Sequence, residues 1–423
     1  MFDKLVQIWK AKDLRNKILY VLGMLVIFRF LAHIPIPGVN EAALKSLFAS
    51  NQVLGLLNMF SGGGMETFSI IMMGVAPYIT ASIIFQLLGM IVPKIEEMQK
   101  EESGRSKINM WTRLLTVPLG ILQAYGMITL LRRSAAGLLA DTSMFNMGVM
   151  LITITAGTIL LMWIGELISE QKVGNGISLL IFAGIISALP QTVQQIFLTF
   201  DQTQLFTLIG FVIIALITIV GVVIINEGQR NIPIQYARQI RGSRAFGGTS
   251  THLPLRVNMA GVIPIIFAVS VVLFPSMIAQ FLIHAKTAWI AQAAEWTILM
   301  FNNQLFYGIV YFIMVFAFTY FYTEVVFHPD QIAENLQKQG GFIPGIRPGK
   351  NTSDYIAKTT HKIIFVGALF LGIIAVLPLI MQAASGIQSF AIGGTSLLIV
   401  VSVVIETVKQ IESQLTMREY DGL

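Results

Sequence analysis

Ten stretches of the chain approach the roughly 20 mostly apolar residues that a helix needs to cross about 30 Å of hydrocarbon, and this makes lipid the solvent for most of the fold. They cover residues 18–34, 74–92, 114–131, 145–168, 177–198, 205–225, 259–283, 305–327, 363–381 and 390–405. With 55% of the 423 residues hydrophobic and 12% charged, a single water-soluble core could not hide so much apolar surface. Lone strands cannot satisfy their backbone polar groups in lipid, so the spans are read as helices and the chain as an all-α membrane protein.

Basic residues orient the spans. Residues 1–17 form a basic amphipathic stretch, and the apolar run after them lacks a small-residue cleavage site, so that run is read as a span and not as a signal peptide. With the N-terminus in the cytoplasm, 23 of the 28 Lys and Arg residues fall in inner segments. The outer segments hold Lys45, Arg132, Arg133 and Lys286, and Arg29 lies in the first span. Positively charged loops stay inside, and an even number of spans then places both termini there. Two inner loops, 226–258 and 328–362, are long, basic and rich in Gly and Pro. They either reach out to a cytosolic partner or are basic only because inner loops are.

The residues needed for an enzyme are missing. Cysteine is absent, which excludes disulfides, thiolate metal sites and Cys nucleophiles. The five histidines are scattered without metal-ligand spacing, and no HExxH, GxSxG or P-loop motif occurs, so neither catalytic residues nor cofactor nor metal is expected. Ion-coupled transporters carry titratable groups near the bilayer midplane. Here Arg29, Glu166, Glu324 and Glu406 all lie off-centre, and each is read as snorkelling or as half of an interfacial pair.

Broken helix is present instead. Residues 54–73 read LGLLNMFSGGGMETFSIIMM, and three consecutive glycines do not sustain a spanning helix. The piece is either a short helix or re-entrant hairpin packed against protein, or an ordinary external loop; the glycines favour the first. Pro77, Pro118, Pro264 and Pro275 mark points where a helix would kink, with two of them in the seventh span.

The runs Asn58–Gly63 (NMFSGG), Gly74–Leu88 (GVAPYITASIIFQLL), Val173–Gly184 (VGNGISLLIFAG), Ser250–Pro264 (STHLPLRVNMAGVIP) and Gly393–Ile399 (GGTSLLI), with Ile34–Gly38 (IPIPG), resemble the bacterial SecY family in order along the whole chain. The resemblance implies ten transmembrane helices in two pseudosymmetric, inverted-repeat halves of five, residues 1–200 and 201–423, around a central hourglass pore. It also implies a channel for unfolded polypeptides in the bacterial cytoplasmic membrane. No internal sequence repeat is evident.

Residue roles follow from the same resemblance. Residues 58–71, with Asn58, Phe60, Ser61, Gly62, Gly63 and Gly64, look like the plug, and Ile79, Ile83, Ile181, Ile185, Ile266 and Ile399 like the pore ring. The paired isoleucines stand at i,i+4 spacing and so share a helix face, although such pairs commonly face lipid or core. A lateral gate would open between spans two and three on one side and seven and eight on the other, with Thr80, Gln123, Asn258 and Pro264 along it. Arg238, Arg241, Arg244, Arg256, Arg347 and Lys350 would serve the partner-binding loops. The implied partners are SecE, SecG, the SecA motor, the ribosome, signal sequences, nascent polypeptides and membrane lipid. The sequence departs from many relatives at Met65–Thr67 and in a short tail after residue 405.

A secondary transporter on an inverted repeat would share span count and broken helices, but would want a midplane charge. An intramembrane enzyme would want a catalytic dyad, and a scaffold would not need the glycine break. The topology is open to test because the chain is free of cysteine. In right-side-out vesicles a membrane-impermeant maleimide should label Thr287→Cys and leave Ser106→Cys unlabelled; the reverse pattern would overturn the orientation.

Overall fold

The computed structural model describes residues 7–40, 43–44, 48, 58, 61–134, 143–198, 205–236, 239–241, 244–246, 250–259, 261–283, 287–385 and 388–421. The order is α1 (Lys12–Ala32), α2 (Ala76–Ile91), α3 (Pro93–Lys100), α4 (Glu102–Ser134), α5 (Met144–Glu170), α6 (Gly176–Leu198), α7 (Leu205–Glu227), β1 (Gln229–Tyr236), β2 (Gln239–Arg241), β3 (Arg244–Phe246), β4 (Ser250–Arg256), α8 (Ile263–Leu282), α9 (Ala288–Asn302), α10 (Gln304–Val326), α11 (Pro329–Lys338), β5 (Gly341–Phe342), α12 (Lys350–Ser385) and α13 (Gln388–Asp421).

Every one of the ten apolar stretches falls on a helix: α1, α2, α4, α5, α6, α7, α8, α10, α12 and α13. Among the described residues, four helices are long and apolar enough to cross a membrane by length and composition alone. The α2–α3 pair, bent by 113° at Pro93, makes a fifth if counted as one span. The bend has a local cause, since Pro93 starts α3 and its ring is incompatible with continuing the preceding helix. At 33, 36 and 34 residues, α4, α12 and α13 exceed the hydrocarbon thickness and carry their charged ends well beyond it.

Helices α1, α2, α4, α5 and α6 pack among themselves, as do α7, α8, α10, α12 and α13. The two groups meet where α8 lies against α2 and α4, and where α6 lies against α13. In lipid, helices associate through close van der Waals packing instead of water exclusion, so small residues at the contacts matter. Gly157 in α5 shows how close: a Cβ there would stand 1.9 Å from the Ile70 carbonyl oxygen.

Three helices lie outside the sequence expectation: α3, α9 and α11. Trp289, Trp296 and Leu299 of α9 are exposed and Ala294 is buried, the pattern of a helix lying at a membrane surface with its indoles in the interfacial zone. The two long inner loops also fold. Strand β1 pairs antiparallel with β4 over seven residue pairs, from Gln229 with Arg256 to Gln235 with Ser250. From the second loop, β5 adds to the other edge of β1, giving the order β4-β1-β5. Ile232, Ile234 and Leu255 of the sheet close a small core with Leu336 of α11, Ile343 and Ile356 of α12. The strands therefore supplement an otherwise helical protein, and they join two loops about 100 residues apart into one packed unit.

Substituting Gly157→Val should lower the thermal unfolding midpoint in detergent, at an overpacking cost of about 1–3 kcal/mol. Gly23→Ala, where a Cβ meets nothing within 4 Å, should not lower it. Equal midpoints for the two variants would contradict the close approach of residue 70 to α5.

Candidate functional site

The site begins with how four helices start and which faces they turn inward. Pro77 occupies the first turn of α2, where its missing N–H costs nothing, and Ile79 and Ile83 follow on one face. The Asn175 side chain accepts from Ser178 N at 3.2 Å and caps α6, setting Ile181 and Ile185 on a common face. Helix α8 carries Ile266 and α13 carries Ile399. All six isoleucines are at most 5% exposed, and all belong to a single buried cluster. The structure thus places all six in one large buried cluster, from α2 and α6 in one group of helices and α8 and α13 in the other. Val21 and Phe28 of α1, with Ile71 and Val75, belong to the same cluster.

Residues 61–75 form a succession of turns packed against protein, so over these residues the external loop gives way, while residues 54–57, 59 and 60 lie outside the described residues. Left-handed backbone at Gly62 and Gly63, with φ of +69° and +83°, reverses the chain where most residues would be strained. At Gly62 a side chain would also collide with Phe28 of α1 and approach the Gly184 Cα of α6 at 3.2 Å. The turns are bonded internally and outward. Asn58 Nδ2 donates to Glu66 Oε2 at 3.1 Å, while Glu66 N donates to Asn58 Oδ1 at 3.0 Å. Thr67 Oγ1 donates to Ala32 O, Ile70 N to Ile34 O and Ile36 N to Phe68 O, which fastens the segment to the end of α1. Met65, Phe68, Met72 and Met73 are buried in a second cluster with Met127 and Leu131 of α4 and Ile154 of α5. Phe60 lies outside the described residues.

Arg29 was expected to snorkel or pair at the interface. It instead turns its guanidinium onto the glycine segment, where Nη1 donates to the Gly62 carbonyl oxygen at 2.7 Å. The signal for this was in the sequence, a lone cation in a span upstream of a glycine run, but its partner is a backbone atom 33 residues away. Glu166 does form the expected interfacial pair, with Arg113 at 2.7 Å.

The four residues expected along the gate part company. Gln123 Nε2 reaches Thr80 Oγ1 at 3.4 Å, joining α4 to α2. Asn258 is not with them. It is buried at the entrance to α8, where Nδ2 donates to Asn226 Oδ1 at 2.6 Å and to Gly261 O at 3.1 Å. Pro264 occupies the first turn of α8, a position that starts a helix instead of kinking it, and the same holds for Pro77 in α2. Only Pro275 lies inside α8, so the pair of kinks expected for the seventh span reduces to one.

Among the loop cations, Arg256 ends β4 and lines a cavity with Glu406 and Lys409. Arg241 and Arg244 face each other across the β2–β3 turn as backbone partners, and Arg238 lies outside the described residues. Arg347 is exposed on a turn bounded by Gly345 and Gly349, both with positive φ, and Lys350 is exposed at the start of α12; Thr352 Oγ1 donates to the Arg347 carbonyl oxygen at 3.0 Å.

Known proteins share both sequence and fold. The family model described as SecY matches residues 69–408. Protein translocase subunit SecY of Bacillus licheniformis is 46% identical, covering 100% of this chain and 99% of its own length. The subunit of the same name from Mycobacterium tuberculosis is 43% identical with the same coverage. Among solved structures, one described as "The structure of a protein conducting channel" superimposes with a TM-score of 0.63 at 17% identity, over 94% of this chain and 91% of that one. Another, "Sec61 in the Canine ribosome-channel complex from the endoplasmic reticulum", gives a TM-score of 0.60 at 17% identity, over 94% and 91%. At these identities the structures speak for the fold. Full-length identity above 40% to named relatives and a family match across most of the sequence carry the rest, and the chain belongs to the SecY family.

Proposed function

We propose that the chain is the pore-forming subunit of a protein translocase in the bacterial cytoplasmic membrane, with both termini inside. It would pass unfolded polypeptides outward and release hydrophobic segments sideways into lipid. The observation that carries this reading is the convergence of six isoleucines, drawn from four helices, into a cluster bordered by Ile71 and Val75 of the glycine-rich segment. Branched aliphatic side chains offer no partner to ions or water, so such a neck holds its seal by dewetting. It also imposes no chemical selection on a passenger. A channel for many sequences needs both properties, and a transporter site needs neither.

Residues 58–71, including Asn58, Ser61, Gly62, Gly63 and Gly64, act in this reading as the plug. Thr80 and Gln123 lie along one side of a lateral gate formed by α2 and α4 against α8. Residues 1–200 and 201–423 move as the two halves. The exposed turn with Arg347 and Lys350, together with the β1–β4 hairpin, faces the cytosol and is assigned to docking of the SecA motor and the ribosome. Contacts of Arg and Lys with ribosomal RNA phosphates make that docking salt-sensitive. SecE and SecG are the expected companion subunits. The protein acts as a channel and not as an enzyme.

Two measurements test the assignment. In vesicles containing SecE and SecA, Ile83→Cys or Ile185→Cys should form a disulfide with a cysteine in a stalled secretory chain. Ile217→Cys on the exposed face of α7 should not. Equal crosslinking at both would sink the assigned pore. For the plug, Arg29→Leu removes a hydrogen bond from a charged donor, a change of about 1.5–3 kcal/mol. Resting ion leak through reconstituted channels should rise by roughly 10-fold to 150-fold. A leak equal to that of the unsubstituted protein would detach Arg29 from plug closure.

A further inference from the structure

Helices α10 and α12 pack side by side, and the protein fills the groove between them along only part of its length. From Phe312 toward the β-sheet the groove holds the chain's own rings. Phe312 stacks with Phe316 at 6.4 Å, Phe316 meets Phe365 of α12 edge-on at 5.9 Å, and Tyr320 continues the row at 5.2 Å from Phe316. Phe312 is seated on bare backbone, since a Cβ at Gly372 of α12 would stand 2.7 Å from its ring. In the other direction the rings stop and a slot of about 620 Å³ opens, walled by Leu305, Gly308 and Ile309 of α10 and by Val376 and Leu379 of α12.

The slot is graded from end to end. Its mouth carries the polar side chains of Asn303 and Gln304, its walls are aliphatic, and Phe312 is the last side chain lining it along α10. Asn303 Oδ1 caps α10 by accepting from Leu305 N at 3.0 Å and Phe306 N at 3.5 Å, which leaves the amide Nδ2 outside the cap. Helix α9 ends at the same asparagine, where Asn303 N donates to Met300 O at 3.2 Å and Phe301 meets Phe306 edge-on at 5.4 Å. Exposed Trp296 and Leu299 of α9 mark this end of α10 as the interfacial zone. A polar mouth at the interface and a closed apolar slot behind it have the polarity profile of a phospholipid.

Length decides between the two occupants that a lipid-facing groove can take. From Asn303 to Phe312 a helix rises about 14 Å, at roughly 1.5 Å per residue. A transmembrane helix of a companion subunit would need an apolar strip of about 30 Å, whereas a single leaflet is about half as deep. The slot is one leaflet deep, so it suits an acyl chain and not a helix.

We propose that the slot between α10 and α12 binds one acyl chain of a phospholipid from the leaflet remote from the β-sheet. The amides of Asn303 and Gln304 donate to its ester or phosphate oxygens. The chain supplies there the dispersion contacts that Phe312, Phe316 and Phe365 supply along the rest of the groove. This goes beyond the channel reading and requires only that α10 and α12 cross the membrane, for which both are long and apolar enough.

The experiment uses full-length protein reconstituted with its companion subunits in vesicles of phosphatidylethanolamine and phosphatidylglycerol. A trace of the phosphatidylethanolamine carries a photoactivatable diazirine midway along one acyl chain. After illumination, crosslinks to residues 305–312 and 376–380 should be about tenfold denser than on the exposed face of α7 at Ile209, Ile217 and Ile224, the ratio that a preference of about 1.4 kcal/mol gives. Gly308→Phe should abolish that excess and leave α7 labelling unchanged, because the new ring occupies the slot. Its Cβ would stand 3.5 Å from Val376 and 3.8 Å from Leu379, ordinary contact distances. Ile380→Trp, at an exposed position on the rim, serves if Gly308→Phe fails to insert. Equal labelling of α7, α10 and α12 would mean annular lipid only and overturns the proposal, as does an excess that survives in both variants. An excess that appears only after the companion subunits are stripped away shows that protein covers the slot, and overturns it too. Precursor translocation by the same vesicles reports on the channel reading separately, so uniform labelling of a translocating protein removes this proposal alone.

Discussion

A backbone that leaves the helix among buried side chains must find its hydrogen-bond partners within the protein, and among the described residues the turns at 61–75 meet that constraint while the helices around them pack against the segment. Residues 61–75 reverse direction through left-handed glycines; Asn58, the Ile34 carbonyl and the Arg29 guanidinium meet backbone groups of the segment, and the Ala32 carbonyl accepts from the Thr67 hydroxyl. Such close backbone contact requires bare helix surfaces opposite. Gly157 of α5 and Gly184 of α6 supply them, so two helices distant in sequence are shaped by the needs of a short irregular stretch.

In the proposed channel, that segment and the isoleucine cluster would divide the sealing between two kinds of interaction. The cluster is held by dispersion forces that do not depend on direction, so as a neck it would part around a passenger and reform without a register to recover. The segment adds to its apolar packing directional bonds, one of them from a charged donor, and these favour a single resting position. A yielding neck and a located stopper would call for these two chemistries. Hydrogen bonds from Asn258 to Asn226 and from Asn226 to Ser402 add directional ties between the entrance of α8, the end of α7 and α13.

Much of this was readable from the residues. Each of the ten apolar runs falls on a helix among the described residues, four of them long and apolar enough to span by length and composition, and three adjacent glycines announced irregular backbone before Gly74. The inward turn of Ile79, Ile83, Ile181 and Ile185 was not readable from spacing, which looks the same on a lipid-facing helix; it came from the motifs around them. Pro264 was misjudged because the apolar run begins at Met259, and hydropathy does not register that the helix itself begins at Ile263. The resemblance put Asn258 along the seam, but its hydrogen-bond partners, 32 residues upstream and, through Asn226, on α13, were not readable. Tertiary pairing of this kind leaves no local trace. The same is true of β5, two residues long and defined only by the strand it joins. Helix α9 did leave a trace in Trp289 and Trp296, seven apart on a short amphipathic stretch.

The shared sheet has a mechanical consequence. Because β5 is stitched to the edge of β1, and Ile343 and Ile356 are packed in one cluster with Leu255, the two loops form one packed handle. One end of the handle runs straight into α7 and, through β4, into the turn before α8; the other is continuous with α10 and with the first turns of α12. In the proposed channel, a partner pressing on either loop would therefore apply torque to four helices at once, and its leverage would not depend on which loop is grasped.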